Sequence, residues 1–346
     1  MKKILSLIAV LSVVSLTANS HAQTMISGYT IVKKIHLPET TWWDYLSCDA
    51  LTGRLFVSRG TMVQVVNSRN GKLVATIPHT EGVHGIALAN DLSKGFISDG
   101  RDSSVTVFNL KTLKVIGKIS VTGRDPDAIL YDPYTQRVFT CNGDAGNSTV
   151  IDAKTDKVLG TIKLSGSPEA SASDDHGRVY INIENNSQID EINPRTMEVE
   201  NVWSLAPGDH PSGLAIDVRN HILFSVCHNK LMVIVDALKG KVLATLPIGG
   251  RVDGAAFDPV LRRAYSSNGE GTLTVVQEEG KNRFKVVDQF PTQLGARTIA
   301  LDTKTHHLYL STAEFNPPPG PTADNPHPRP TMKENSFVIL DVAPGK

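Results

Sequence analysis

The chain has 346 residues, 40% of them hydrophobic, and its 35 basic and 35 acidic side chains cancel to a formal charge of zero. No basic block stands out, and beyond the N-terminus no apolar run is long enough to span a bilayer, so neither a nucleic-acid partner nor membrane insertion of the body is expected. The three cysteines, Cys48, Cys141 and Cys227, contain no CxxC pair, which argues against a disulfide framework and against covalent haem.

Residues 1–22 read as a secretory signal peptide. Lys2 and Lys3 precede the apolar stretch Ile4–Leu16, and Ser20-His21-Ala22 offers small residues for cleavage. No cysteine follows that site, so no lipid anchor is expected, and the destination is periplasmic or secreted. The body, 29–343, reads as one domain. It opens with TIVKKIHL, Thr30–Leu37, an isolated strand with no hairpin partner beside it.

A repeat then begins. Its clearest copy is Asp125–Ile162, four short Val-, Ile-, Phe- and Tyr-rich runs separated by Asp, Pro, Gly and Asn. Such runs are strands joined by hairpins. The first strands end at Asp49, Ala89, Asp132, Asp174, Asp217, Asp258 and Asp302, in steps of 40, 43, 42, 43, 41 and 44 residues. The second strands read RLFVS, KGFIS, RVFTC, RVYIN, ILFSV, RAYSS and HLYLS. Only six fourth strands follow; the seventh is supplied by Thr30–Leu37. A four-stranded repeat near 40 residues predicts an all-β, seven-bladed β-propeller, its ring closed by the N-terminal strand joining the last blade. Closure also removes the exposed sheet edge.

The wording VFTCNG…STVIDAKTDKVLGTI, GFISDGRDSSVTVFNLKTLKVIGKI and YSSNGEGTLTVV resembles the YVTN-repeat β-propellers, the YncE-like group, over residues 29–343. The resemblance implies a secreted bacterial seven-bladed propeller; the group has no agreed shared activity. The fourth and fifth repeats depart from the pattern by lacking the Asn-Gly loop.

In such a ring, the loops before the first strands and those between the second and third strands share one face. The former offer Asp44, His84, Asp127, Glu169, Ser212, Asp253 and Arg297 at equivalent positions, with Trp42, Trp43 and His210 beside them. The latter offer Arg59, Asp99, Asn142, Glu184, His228, Asn268 and Glu314 as a wider ring. Crowded carboxylates with imidazoles suit a divalent metal (Ca, Zn or Fe) or general acid–base work. His84 is the first candidate base or metal ligand. Asp127, Glu169 and Asp253 are candidate metal ligands or partner acids, and Arg297 a clamp for a substrate carboxylate. Trp42, Asp44, Arg59, Asn142, Glu184, His210, His228 and Asn268 are candidate contacts to a small-molecule, glycan or peptide ligand. The same polar residues also suit turns and a water-filled channel. His176, His221, His306 and His307 fall on the opposite face and read as surface residues.

The last repeat is interrupted by Glu314–Asn335, which has seven prolines and reads as a stiff lid or partner-binding arm with His327 and Arg329 as its polar reach, or else as a disordered excursion. No Walker loop, dinucleotide fingerprint or G-x-S-x-G elbow is present. Two functions fit: a monomeric binding propeller, or a hydrolase or lyase, lactonase-like, using the same funnel.

Overall fold

The computed structural model describes residues 28–322, 328 and 330–345. The candidate signal peptide, and His327 and Arg329 of the insertion, lie outside the described residues. Among the described residues there are seven four-stranded sheets; six pair their strands in sequence order, and the seventh takes its outermost strand from the N-terminus. Blade 3, the model repeat, runs Pro126–Asp132, Arg137–Asn142, Asn147–Asp152 and Lys157–Lys163, all antiparallel. Second and third strands are apolar on both faces because each blade is sandwiched between two others; Arg137–Asn142 is buried along almost its whole length. Fourth strands lie at the rim and are largely exposed, as in Leu73–Pro78. The buried residues form seven clusters, one at each blade–blade interface.

The ring closes as expected. Tyr29–His36 pairs antiparallel with Val338–Pro344, from Tyr29 opposite Pro344 to His36 opposite Val338, and becomes the outermost strand of blade 7. No helix among the described residues is long and apolar enough to cross a membrane. The three cysteines form no disulfide; Cys141 and Cys227 are buried and Cys48 is half-buried.

The aspartate that marks the period is a turn residue. Its carboxylate accepts backbone N–H groups of the turn below, from Leu51 to Asp49 (3.1 Å), Thr135 to Asp132 (3.0 Å), Arg219 to Asp217 (3.0 Å) and Lys304 to Asp302 (2.9 Å). Asp132 also accepts from the Thr135 hydroxyl and, across the blade boundary, from Ser173 Oγ at 2.6 Å. Asp132→Ala is therefore expected to cost about 2 kcal/mol, read as a lower urea midpoint at unchanged m-value. Two histidines of this face depart from the surface reading. His306 Nδ1 sits 2.7 Å from Asp258 Oδ2 and His307 Nδ1 2.6 Å from Asp341 Oδ1, so both are tied to buried aspartates.

Candidate functional site

Each equivalent ring residue sits where the first strand leaves its ladder. Pairing in the inner strands shifts register between Val83 and Ile86, Pro126 and Ile129, Pro168 and Ser171, Pro211 and Leu214, and Val252 and Gly254. These irregularities bracket His84, Asp127, Glu169, Ser212 and Asp253. A bulge frees a side chain from the pleat and re-aims it, here toward the ring axis. Hydroxyls from the second strands take up the released backbone groups. Ser98 Oγ accepts from Gly85 N (2.8 Å) and donates to the Asp127 carbonyl of the next blade (2.5 Å); Ser267 Oγ donates to the Arg297 carbonyl in the same way. Neighbouring inner strands approach so closely that a Cβ on Gly213 would lie 2.6 Å from Ala255 N.

Six of the seven side chains join in a chain of contacts running from blade 5 round through blades 6, 7, 1 and 2 to blade 3. Ser212 Oγ donates to Asp253 Oδ1 at 2.9 Å, and Arg297 Nε lies 3.1 Å from Asp253 Oδ2. Arg297 Nη2 reaches Asp44 Oδ1 at 3.5 Å, and Asp44 Oδ2 meets His84 Nδ1 at 2.7 Å. His84 Nδ1 is 3.5 Å from Asp127 Oδ1, and its Nε2 is 3.8 Å from Asp125 Oδ1. Glu169 stands outside this chain: among the described residues its carboxyl has no hydrogen bond or ion pair.

The electrostatics follow from burial and crowding. Burial, then the charges of Asp127, Asp253, Glu184 and Asp44, push the Glu169 carboxyl up to about 9. Burial and Asp44 raise Asp127 to about 7 against the opposing charge of His84. Burial raises Asp253 to about 6, with Arg297 opposing. Burial would lower His84, but its hydrogen bond to Asp44 and the charges of Asp127, Asp44 and Asp125 outweigh it and carry it to about 9. The ring thus favours a protonated carboxyl at Glu169 and an imidazolium at His84 near neutral pH.

Above the ring opens a cleft of 640 Å³ bounded by Trp42, Trp43, Asp44, His84, Arg101 and Arg124, among others. Trp42 is 60% exposed, whereas Trp43 is buried against Phe315 and Phe337. One indole therefore walls the cleft and the other belongs to the core. Phe315 and Met332 pair at the base of the insertion, and Asn335 N donates to Thr40 Oγ1, which anchors that base beside the Trp42–Trp43 segment. Below the ring, Tyr45 lines a narrower axial channel of 160 Å³ with Ala128, Ala170 and Gly213. Burial and the charges of Asp253, Asp127, Asp44 and Glu169 hold its phenol well above the usual tyrosine range.

The wider ring does not form as expected. Arg59 is fully buried; its guanidinium lies 3.6 Å over the Phe337 ring and donates to the Pro38 and Glu39 carbonyls. Asn142 is fully buried and bonded to Thr140, Asn147 and Thr149 within its own hairpin; Asn268 repeats the arrangement with Ser266, Thr272 and Thr274. These three cannot touch a ligand. Glu184, His210 and His228 do reach the surface, as a separate patch. The two imidazoles stack in parallel at 6.3 Å, His210 Nδ1 is 3.1 Å from Asp209, and His228 Nδ1 is 3.8 Å from Glu184.

Sequence reading missed Tyr45, Asp125, Arg101 and Arg124. Tyr45 had a signal: it follows the ring position directly, where the other blades carry Gly85, Ala128, Ala170, Gly213, Gly254 and Thr298. Asp125 had one too. It lies two residues before the ring position with φ +56°, where blades 2 and 7 use Gly82 and Gly295. The two arginines had none.

No family model matches the chain, and no curated protein matches its sequence. Solved structures do match in fold. A chain from Kuenenia stuttgartiensis hydrazine synthase aligns with TM-score 0.71 at 16% identity, covering 80% of this chain and 94% of that one. The WD40 repeats of RRP9 align with TM-score 0.73 at 10% identity over 90% and 97% of the two chains, and U3-55K with 0.73 at 9% over 89% and 98%. At these identities the likeness establishes the seven-bladed propeller and says nothing of the site.

Proposed function

We propose that this chain is an exported, YVTN-type binding propeller whose upper-face cleft holds a small molecule or glycan unit bearing a carboxylate and a flat apolar face. The observation that carries this reading is the pairing of a 60%-exposed Trp42 with Arg101 and Arg124 on one cleft. Neither arginine has a side-chain partner among the described residues, so both guanidinium groups are available for bidentate contact with a carboxylate. An exposed indole offers a stacking face to a sugar ring or an arene. A cleft of 640 Å³ suits a ligand of one or two rings. Export rests on the composition of residues 1–22.

Uronates, aromatic carboxylates and acidic peptides, each set against its neutral amide, form the test panel for calorimetry. The acids are expected to bind and the amides to bind at least tenfold more weakly. Trp42→Ala is expected to weaken binding about fivefold, in line with about 1 kcal/mol for a ring contact. Equal affinity for acid and amide would remove the carboxylate from the proposal. N-terminal sequencing of periplasmic material is expected to begin near Gln23.

A second reading has its own support: Glu169, held protonated by burial and without a hydrogen-bond partner, stands within the field of Asp127, Asp253 and Asp44. A neutral carboxyl is a general acid, and Asp127 at about 7 is poised as a base. Lactone opening is the chemistry this pair suits. Turnover of a lactone panel that disappears in Glu169→Gln would favour the enzyme; binding without turnover favours the binding role.

A further inference from the structure

We propose that Asp44, His84 and Asp127 bind one divalent first-row transition ion, zinc or manganese, at the floor of the cleft. The donor atoms come from three successive blades: Asp44 Oδ2, His84 Nδ1 and Asp127 Oδ1. All three lie within 4.8 Å of one another, the imidazole nitrogen being 2.7 Å and 3.5 Å from the two oxygens. An ion held at about 2.1 Å needs neighbouring donors roughly 3.0–3.4 Å apart, from octahedral to tetrahedral. The two nitrogen–oxygen separations lie within a few tenths of an ångström of that range, and rotation of the two carboxylates closes the third.

A second observation points to a missing partner. Asp127 Oδ1 is shielded from solvent and has no hydrogen bond. A buried carboxylate oxygen without a donor is costly, and it faces the His84 nitrogen. The remaining atoms of the set are already positioned from outside. Arg297 Nη2 is 3.5 Å from Asp44 Oδ1, leaving Oδ2 to the cleft, and Asp125 Oδ1 is 3.8 Å from His84 Nε2. A carboxylate behind the far nitrogen of an imidazole is the arrangement that orients histidine toward a metal. The ion would take the place of the proton shared by His84 and Asp44.

The ligand set selects the ion. One imidazole nitrogen with two carboxylate oxygens suits zinc or manganese, whereas calcium calls for six to eight oxygens. Three protein ligands leave open positions toward the cleft, where an incoming carboxylate can bind. The metal site itself stands on the three donor atoms and does not depend on the ligand proposed above.

The test uses the mature protein, stripped with chelator and then exposed to ZnCl₂, MnCl₂ or CaCl₂ alone. Metal content after desalting and calorimetric titration are the readouts. One zinc or manganese per chain is expected, with calcium at least tenfold weaker. His84→Ala and Asp127→Asn are expected to lose at least tenfold in affinity, while the double variant His210→Ala/His228→Ala keeps the wild-type value. Circular dichroism confirms that each variant is folded, and the wild-type titration decides even if one is not. Substoichiometric metal in the wild type overturns the proposal. So does zinc retained by folded His84→Ala, or zinc lost from the His210/His228 variant.

Discussion

A chain that begins at Pro38, lacking Tyr29–Leu37, is expected to lose its cooperative unfolding transition altogether. The segment spans both interfaces of blade 7. Tyr29 packs in the cluster shared with blade 6, where its hydroxyl lies 3.0 Å from that of Tyr265 and accepts from Arg263 Nη1 at 2.9 Å. Ile35 and Leu37 pack in the cluster shared with blade 1. Burying these three side chains contributes on the order of 6 kcal/mol at about 2 kcal/mol each, against a typical net stability of roughly 5–15 kcal/mol. Removal also exposes Val338–Pro344 as an unpaired apolar edge. The expected result is a broad urea transition without a flat native baseline, together with oligomers on size exclusion. A truncated monomer with the wild-type midpoint would show that the seam does not carry the ring.

The architecture was legible because two local signals repeat in phase. Short β-branched runs set strands, and an aspartate at a fixed place in six of the seven inner strands (Ala89 in blade 2) sets the turn beneath it; hydrogen bonds to Asp49, Asp132, Asp217 and Asp302 show why that residue recurs. The inner ring was legible for the same reason: equivalent positions in a closed ring must converge. The wider ring failed because polarity was read as exposure. Asn142 and Asn268 satisfy their amides within their own hairpins, and the recurrence of Thr140-Cys141-Asn142…Thr149 as Ser266-Ser267-Asn268…Thr274 was a sign of a self-contained network. Arg59 gave no local sign, since the ring it stacks on, Phe337, arrives from the far end of the chain. Distances within the ring depend on side-chain reach across blades. Asp44 therefore joins His84 and Asp127, whereas Glu169, at the same repeat position, joins nothing.

That isolation gives Glu169→Gln its expected effect: a protein more stable than wild type at alkaline pH. The folded carboxyl titrates near 9 rather than 4.5, through burial first and then the charges of Asp127, Asp253, Glu184 and Asp44. The native state therefore binds this proton more tightly than the unfolded chain. A raised acid contributes stability below its unfolded pKa and loses it as pH climbs toward the folded value, so the stability curve must fall between about pH 5 and pH 9. Even half of the shift corresponds to about 3 kcal/mol. Glutamine keeps the shape and cannot ionise, so that part of the decline should vanish. Asp253 and Asp127, raised by burial to about 6 and about 7, and His84, carried against burial to about 9 by Asp44 and its neighbours, have the same sign and remain in the variant, leaving a shallower decline. Urea midpoints taken from pH 5 to pH 9 in chelator, so that no cation balances the carboxylates, read this directly. Wild type and variant are expected to coincide near pH 5 and to separate progressively from there to pH 9, with the variant higher. Parallel curves would mean that Glu169 ionises freely in the folded ring and that the carboxyl is solvated rather than crowded.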